Sequence, residues 1–146
     1  MPLPTVTDEQ RDALIAAARA VRERAYAPYS KFAVGAAVLD EHGRIHAGCN
    51  VENAAYPQGW CAETSALAVM VAAGGRHLRA VVVCAVSADP ATPCGGCRQK
   101  LREFGDEGVP LWAVDLHDVR GCYTLGELMP HGFGAATLKV IAPPQT

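Results

Sequence analysis

Three cysteines and one glutamate carry the chemistry available to this 146-residue sequence. The segment Thr92-Pro93-Cys94-Gly95-Gly96-Cys97 sets two thiols two residues apart, close enough for both to bind one metal. Gly95 and Gly96 are read as letting the backbone approach that metal closely. Trp60-Cys61-Ala62-Glu63 supplies a third sulfur. Three sulfur ligands suit zinc and leave its fourth tetrahedral position to water, whereas a structural site fills that position with another Cys or His. Glu63 lies two residues beyond Cys61, so it does not repeat the direction of that ligand. It can still stand beside the open position, where a group that moves protons belongs. The chemistry implied is hydrolysis by a metal-activated water.

Each of these residues also has a plainer reading. A single cysteine is usually a small core residue, and a helical glutamate is usually a solvated charge. The combined spacing is what favours the metal reading for Cys61, Cys94, Cys97 and Glu63. Cys49, Cys84 and Cys122 have no paired spacing and are expected to pack in the core. His42, His46, His77, His117 and His131 lack ligand-like spacing to the cysteines and read as surface or structural residues.

Composition narrows the possible partners. The chain has 13 Lys and Arg against 15 Asp and Glu, a net charge of −2, so it lacks the basic surface that holds a nucleic acid. No apolar run approaches the roughly 18–20 residues of a membrane span, and the start MPLPTVTDEQ has no signal-peptide character. The expected location is therefore the cytoplasm, where six cysteines stay reduced and ordered spacing points to metal binding. The hydrophobic fraction of 50% is high enough that some apolar surface is expected to lie between subunits.

The elements that must position these residues follow from local pattern. Residues 1–146 are read as one domain, with a frayed tail at about 142–146. Thr7 and Gln10 form a potential capping box ahead of Leu14, Ala18, Val21 and Ala25, giving a helix from about Thr7 to Ala25. Phe32–Leu39 and Arg44–Cys49 flank a Glu41-His42-Gly43 turn and read as a β-hairpin. Cys61–Ala73 reads as a helix stopped by Gly74-Gly75. Ala80–Val86 is an unalternating apolar run, the mark of a strand covered on both faces. A helix from about Cys94 to Phe104, a short strand at Leu111–Val114 and a small helix near Leu125–Met129 complete the reading. This order implies an α/β fold, a three-layer α/β/α sandwich around a mixed sheet.

Five blocks in this order resemble cytidine deaminases of the small, homotetrameric class with three zinc-binding cysteines. They are Tyr29-Ser30-Lys31-Phe32-Ala33-Val34-Gly35-Ala36-Ala37, Asn50-Val51-Glu52-Asn53-Ala54-Ala55-Tyr56-Pro57, Cys61-Ala62-Glu63, Pro93-Cys94-Gly95-Gly96-Cys97-Arg98-Gln99 and Leu128-Met129-Pro130-His131-Gly132-Phe133. The resemblance implies one Zn²⁺ per subunit on Cys61, Cys94 and Cys97, with Glu63 as proton shuttle. It also implies hydrolysis of cytidine and deoxycytidine to uridine and deoxyuridine in pyrimidine salvage. Asn50 and Glu52 resemble the ribose-binding pair and Phe32 the aromatic against the pyrimidine. Phe133, Ala54 and Tyr56 resemble groups that complete a neighbouring subunit's pocket.

The chain departs from the family pattern at Thr64, where an Arg commonly follows the catalytic Glu in three-cysteine members. Three thiolates leave Zn²⁺ with a formal charge of −1, which an Arg offsets and Thr64 cannot. The expected substitutes are the N–H groups of the helices starting at Cys61 and Cys94, together with Arg98. The alternatives are a related zinc deaminase acting on another nucleoside-like compound, since pocket residues choose the substrate, and a structural zinc module, which requires a fourth protein ligand.

Overall fold

The structure is a computed structural model and describes residues 2–138. Thr7 caps α1, Asp8–Arg22, and the capping box with Gln10 is closed in both directions. The helix stops short of Ala25 because the chain turns away to pair with the loop after β2: Tyr26 N–H donates to the Asn50 carbonyl, and Glu52 N–H donates back to Tyr26. Leu14, Ile15 and Ala18 form its buried stripe.

Five strands follow: β1 Val34–Asp40, β2 Ile45–Cys49, β3 Leu78–Ala85, β4 Pro110–Val114 and β5 Val119–Thr124. They lie in the order β2-β1-β3-β4-β5. Only the β3–β4 pair is parallel, so the sheet is mixed as expected. All eight residues of β3 are buried, in keeping with its unalternating apolar sequence. The sequence reading omits β5, and its residues show why. VRGCYT lies at the sheet edge with no fully buried position, so hydrophobic alternation is missing.

α1 packs on β1, β2 and β3, burying Ala37, Leu39, Ala80, Val82 and Cys84 on one face of the sheet. The opposite face carries α2 Ala62–Ala72, α3 Gly95–Phe104 and α4 Leu125–Leu128 over Ala36, Val38, Val81, Val83 and Leu111. The result is the three-layer sandwich. Two glycines let the helices sit close to the sheet: a Cβ on Gly35 would overlap the Ala18 carbonyl oxygen of α1, and one on Gly48 would overlap Ala66 N of α2. Cys84 packs in the core as expected and Cys49 is half-buried. Cys122 is exposed, contrary to expectation, because it lies on β5 outside the strands that α1 covers. The expected tail at 142–146 lies outside the described residues.

The β1–β2 hairpin closes around a buried carboxylate. Asp40 Oδ1 accepts the N–H groups of His42 and Arg44, each at 2.9 Å. Its Oδ2 pairs with Arg44 Nε and His46 Nε2, each at 2.8 Å. Burial alone pushes this carboxyl up, but the bonds from His46, Arg44 and His42 outweigh it and hold the pKa at about 2.

Candidate active site

Two helices on the same face of the sheet begin at a cysteine. Cys61 is the N-cap of α2 and Cys94 the N-cap of α3, both with extended backbone, and Cys97 follows in the first turn of α3. The Cys61 and Cys94 Sγ atoms are 3.9 Å apart, and all three Sγ atoms lie within 4.8 Å of one another. Tetrahedral zinc with Zn–S bonds of about 2.3 Å requires sulfurs about 3.8 Å apart, so this donor set fits the ion. Among the described residues no fourth Cys, His, Asp or Glu joins the cluster. A Cβ on Gly95 or Gly96 would meet no other atom of the chain within 4 Å.

Cys97 is buried and Cys61 half-buried. The hydrogen bond between them lowers the pKa of Cys61 and, with burial, raises that of Cys97 well above the usual thiol range. Glu63, only 5% exposed, lies behind them on α2 in contact with Cys97. Burial raises its carboxyl pKa, the direction that suits a group exchanging protons near neutral pH.

The expected substitutes at the thiols are not found among the described residues. Neither capping cysteine's Sγ accepts a backbone N–H of its own helix, leaving only the field of the helix ends. Arg98 points away: its guanidinium donates to the carbonyls of Pro93 and Leu128, each at 2.7 Å, and to the Thr92 hydroxyl at 2.9 Å. It fastens the loop before α3 to the end of α4. Thr64 does reach the cluster, with its Oγ1 3.5 Å from Cys97 Sγ, and it in turn accepts a bond of 3.2 Å from Lys100 Nζ.

Beside Cys61 lies an open cleft of about 510 Å³, and Asn50, Glu52 and Tyr56 line it with Tyr29 and Trp60. Asn50 Oδ1 accepts Val34 N–H at 2.9 Å while its Nδ2 donates to the Phe32 carbonyl at 2.8 Å, fixing the strap that carries Phe32. Glu52 Oε1 accepts the N–H groups of Tyr29 and Ser30, each at 3.0 Å. The Ser30 hydroxyl and these N–H groups hold the Glu52 carboxyl below its usual range. Tyr56 meets Tyr29 edge-on, with ring centroids 6.0 Å apart. Phe32, Ala54 and Phe133 are exposed and do not line the cleft within this chain; the Phe133 carbonyl accepts Gln99 Nε2 at 3.0 Å.

Residues 8–113 match the family model of the cytidine and deoxycytidylate deaminase zinc-binding region. The chain belongs to the cytidine deaminase family. It is 42% identical to a cytidine deaminase of Sporosarcina psychrophila over 129 residues, 88% of this chain and 95% of that protein. Its fold superposes on the crystal structure of cytidine deaminase from Burkholderia pseudomallei with a TM-score of 0.80 at 41% identity, covering 88% of this chain and all of that one. The Mycobacterium tuberculosis cytidine deaminase structure gives 0.73 at 38% identity, covering 88% and 99%.

Within this family framework, sequence reasoning missed Tyr29, Ser30, Asn53, Gly59 and Trp60 as cleft lining, and Lys100 altogether. A signal for Lys100 was available, since it stands three residues after Cys97 and so on the same face of α3.

Proposed function

We propose that this chain hydrolyses cytidine and deoxycytidine to uridine and deoxyuridine with release of ammonia, as a cytoplasmic enzyme of pyrimidine salvage. The observation that carries the reading is the convergence of Cys61, Cys94 and Cys97 at ligand spacing with the buried Glu63 behind them. When bound, zinc supplies the Lewis acid that activates water at neutral pH. Glu63 accepts a proton from the attacking water and returns it to ring nitrogen N3 as oxygen bonds to C4. It then passes the second water proton to the amino group, which leaves as ammonia while C4–O becomes the carbonyl of uridine.

Glu52 keeps lone pairs free for a ribose hydroxyl after binding Tyr29 and Ser30, and its negative charge disfavours a phosphate. The nucleoside is thus preferred to the nucleotide. Asn50 also lines the cleft, and after bonding Val34 and Phe32 its amide keeps a second N–H for a ribose hydroxyl.

Phe32, Tyr56, Trp60 and Phe133 are 41–76% exposed, more aromatic surface than a closed pocket leaves open. A homotetramer covers it, with Phe133, Ala54 and Tyr56 completing a neighbour's pocket. The test is a spectrophotometric assay with cytidine, deoxycytidine, CMP, cytosine and adenosine, alongside light scattering for subunit number. Turnover of the two nucleosides alone supports the reading, and equal turnover of CMP and cytidine overturns the nucleoside preference. A monomer with full activity overturns the shared pocket.

A further inference from the structure

Three thiolates on Zn²⁺ leave a formal charge of −1, and that surplus weakens the ion as a Lewis acid unless a positive group offsets it. Arg98 is committed to three oxygen acceptors away from the sulfurs, and neither capping cysteine's Sγ accepts a backbone N–H of its own helix. Among the described residues, the cation that reaches the cluster is Lys100, through one intermediary. Its Nζ is 3.2 Å from Thr64 Oγ1, which is 3.5 Å from Cys97 Sγ. Thr64 is 8% exposed and Cys97 1%, so the link to the sulfur is shielded from water although Lys100 itself is exposed.

Donor chemistry gives the chain its direction. An ammonium only donates and a ligating thiolate only accepts, whereas a hydroxyl does both. Lys100 therefore donates to Thr64 Oγ1, and the Thr64 proton points at Cys97 Sγ. Polarisation by the ammonium makes that hydroxyl a stronger donor than a threonine facing water. Helix geometry supports the arrangement, because Lys100 shares a face of α3 with Cys97 and α3 packs on α2, which carries Thr64.

We propose that Lys100 is a positioning residue for the zinc centre, conveying its positive charge to Cys97 through the Thr64 hydroxyl. The inference rests on the zinc reading above and adds a role for two residues that bind neither metal nor substrate. Its consequence is linkage: without Thr64, Lys100 loses its route to the sulfur.

The experiment compares wild type with Lys100→Met, Lys100→Arg, Thr64→Val and the Thr64→Val/Lys100→Met double variant. Two readouts are independent of turnover: zinc affinity at pH 7 by competition with a chromophoric chelator, and the sulfur-to-metal charge-transfer band of the Co²⁺-loaded proteins. Lys100→Met and Thr64→Val each weaken zinc binding about ten-fold and move the band to lower energy, as a less hydrogen-bonded thiolate donates more strongly. Lys100→Arg keeps the wild-type band, and the double variant is no worse than Thr64→Val. An unchanged band and affinity in Lys100→Met overturns the proposal. So does a loss in Lys100→Arg as large as in Lys100→Met, or a double variant whose loss is the product of the two single losses. Failure of the wild type to bind zinc, or to deaminate with zinc bound, counts instead against the zinc reading itself.

Discussion

Replacing Glu63 by Gln separates a proton shuttle from a structural residue, because the two roles predict opposite effects on stability. The side chain is 5% exposed and the substitution nearly preserves its shape, so the packing of α2 on the sheet is retained. Burial raises its carboxyl pKa above the usual 4.5, so in the metal-free protein ionisation opposes folding as pH rises past that value. Gln carries no such cost. Metal-free Glu63→Gln should therefore unfold at an equal or higher urea concentration than metal-free wild type at pH 8, with the gap closing below pH 4.5. Activity should move the other way. Loss of a positioned general acid–base costs about 10²–10⁴ in rate, roughly 3–5 kcal/mol of transition-state stabilisation. The assay is cytidine turnover at saturating zinc, with bound zinc quantified in the same samples. A variant that holds zinc and turns over within ten-fold of wild type refutes the shuttle role. One that loses fold and activity together shows that the carboxylate was structural.

The remaining predictions concern the groups around this centre. Asp40 has a pKa of about 2 against 3.8 unfolded, so it stabilises the fold above about pH 4 and that contribution disappears as pH falls toward 2. Allowing for solvent screening at the turn, it amounts to about 1–2 kcal/mol; Asp40→Asn should show a matching deficit in urea midpoint at pH 7 that vanishes near pH 2, and a deficit independent of pH counts against it. Glu52→Gln keeps the acceptor for Tyr29 and Ser30 but loses the charge, so KM for cytidine should rise about ten-fold while discrimination against CMP narrows; unchanged values of both exclude a ribose contact. Gly48→Ala forces α2 off β2, and a loss of about 1–3 kcal/mol in chemical denaturation, with weaker zinc binding, is expected. Dialysis against a chelator should silence the enzyme and added zinc should restore it; turnover by zinc-free protein contradicts metal dependence.

The features legible in the sequence are those in which one physical cause acts locally. The Thr7 capping box and the fully buried β3 each come from one short segment, the three cysteines from two, and each is found in the fold. The exposed edge strand β5 left no pattern because α1 packs on β1, β2 and β3, and the core place expected for Cys122 fails for the same reason. Charge compensation at the thiols was misjudged for a different reason. Arg98 is adjacent to Cys97 in sequence, but one helical step turns its side chain toward α4 and the Thr92-Pro93 loop. Lys100 is three steps on and returns to the face that meets α2. Along a helix, reach depends on angular position more than on sequence distance, so a missing charge beside a metal ligand is better sought at the third or fourth residue than at the next. A charge placed there needs an intermediary on the facing helix. The same Thr64 that departs from the family pattern meets this need: an Arg at 64 would bring its own charge, whereas a hydroxyl conducts one only if a cation on α3 stands behind it. The two positions are thus coupled by geometry, and an exchange at either is expected to change the effect of an exchange at the other.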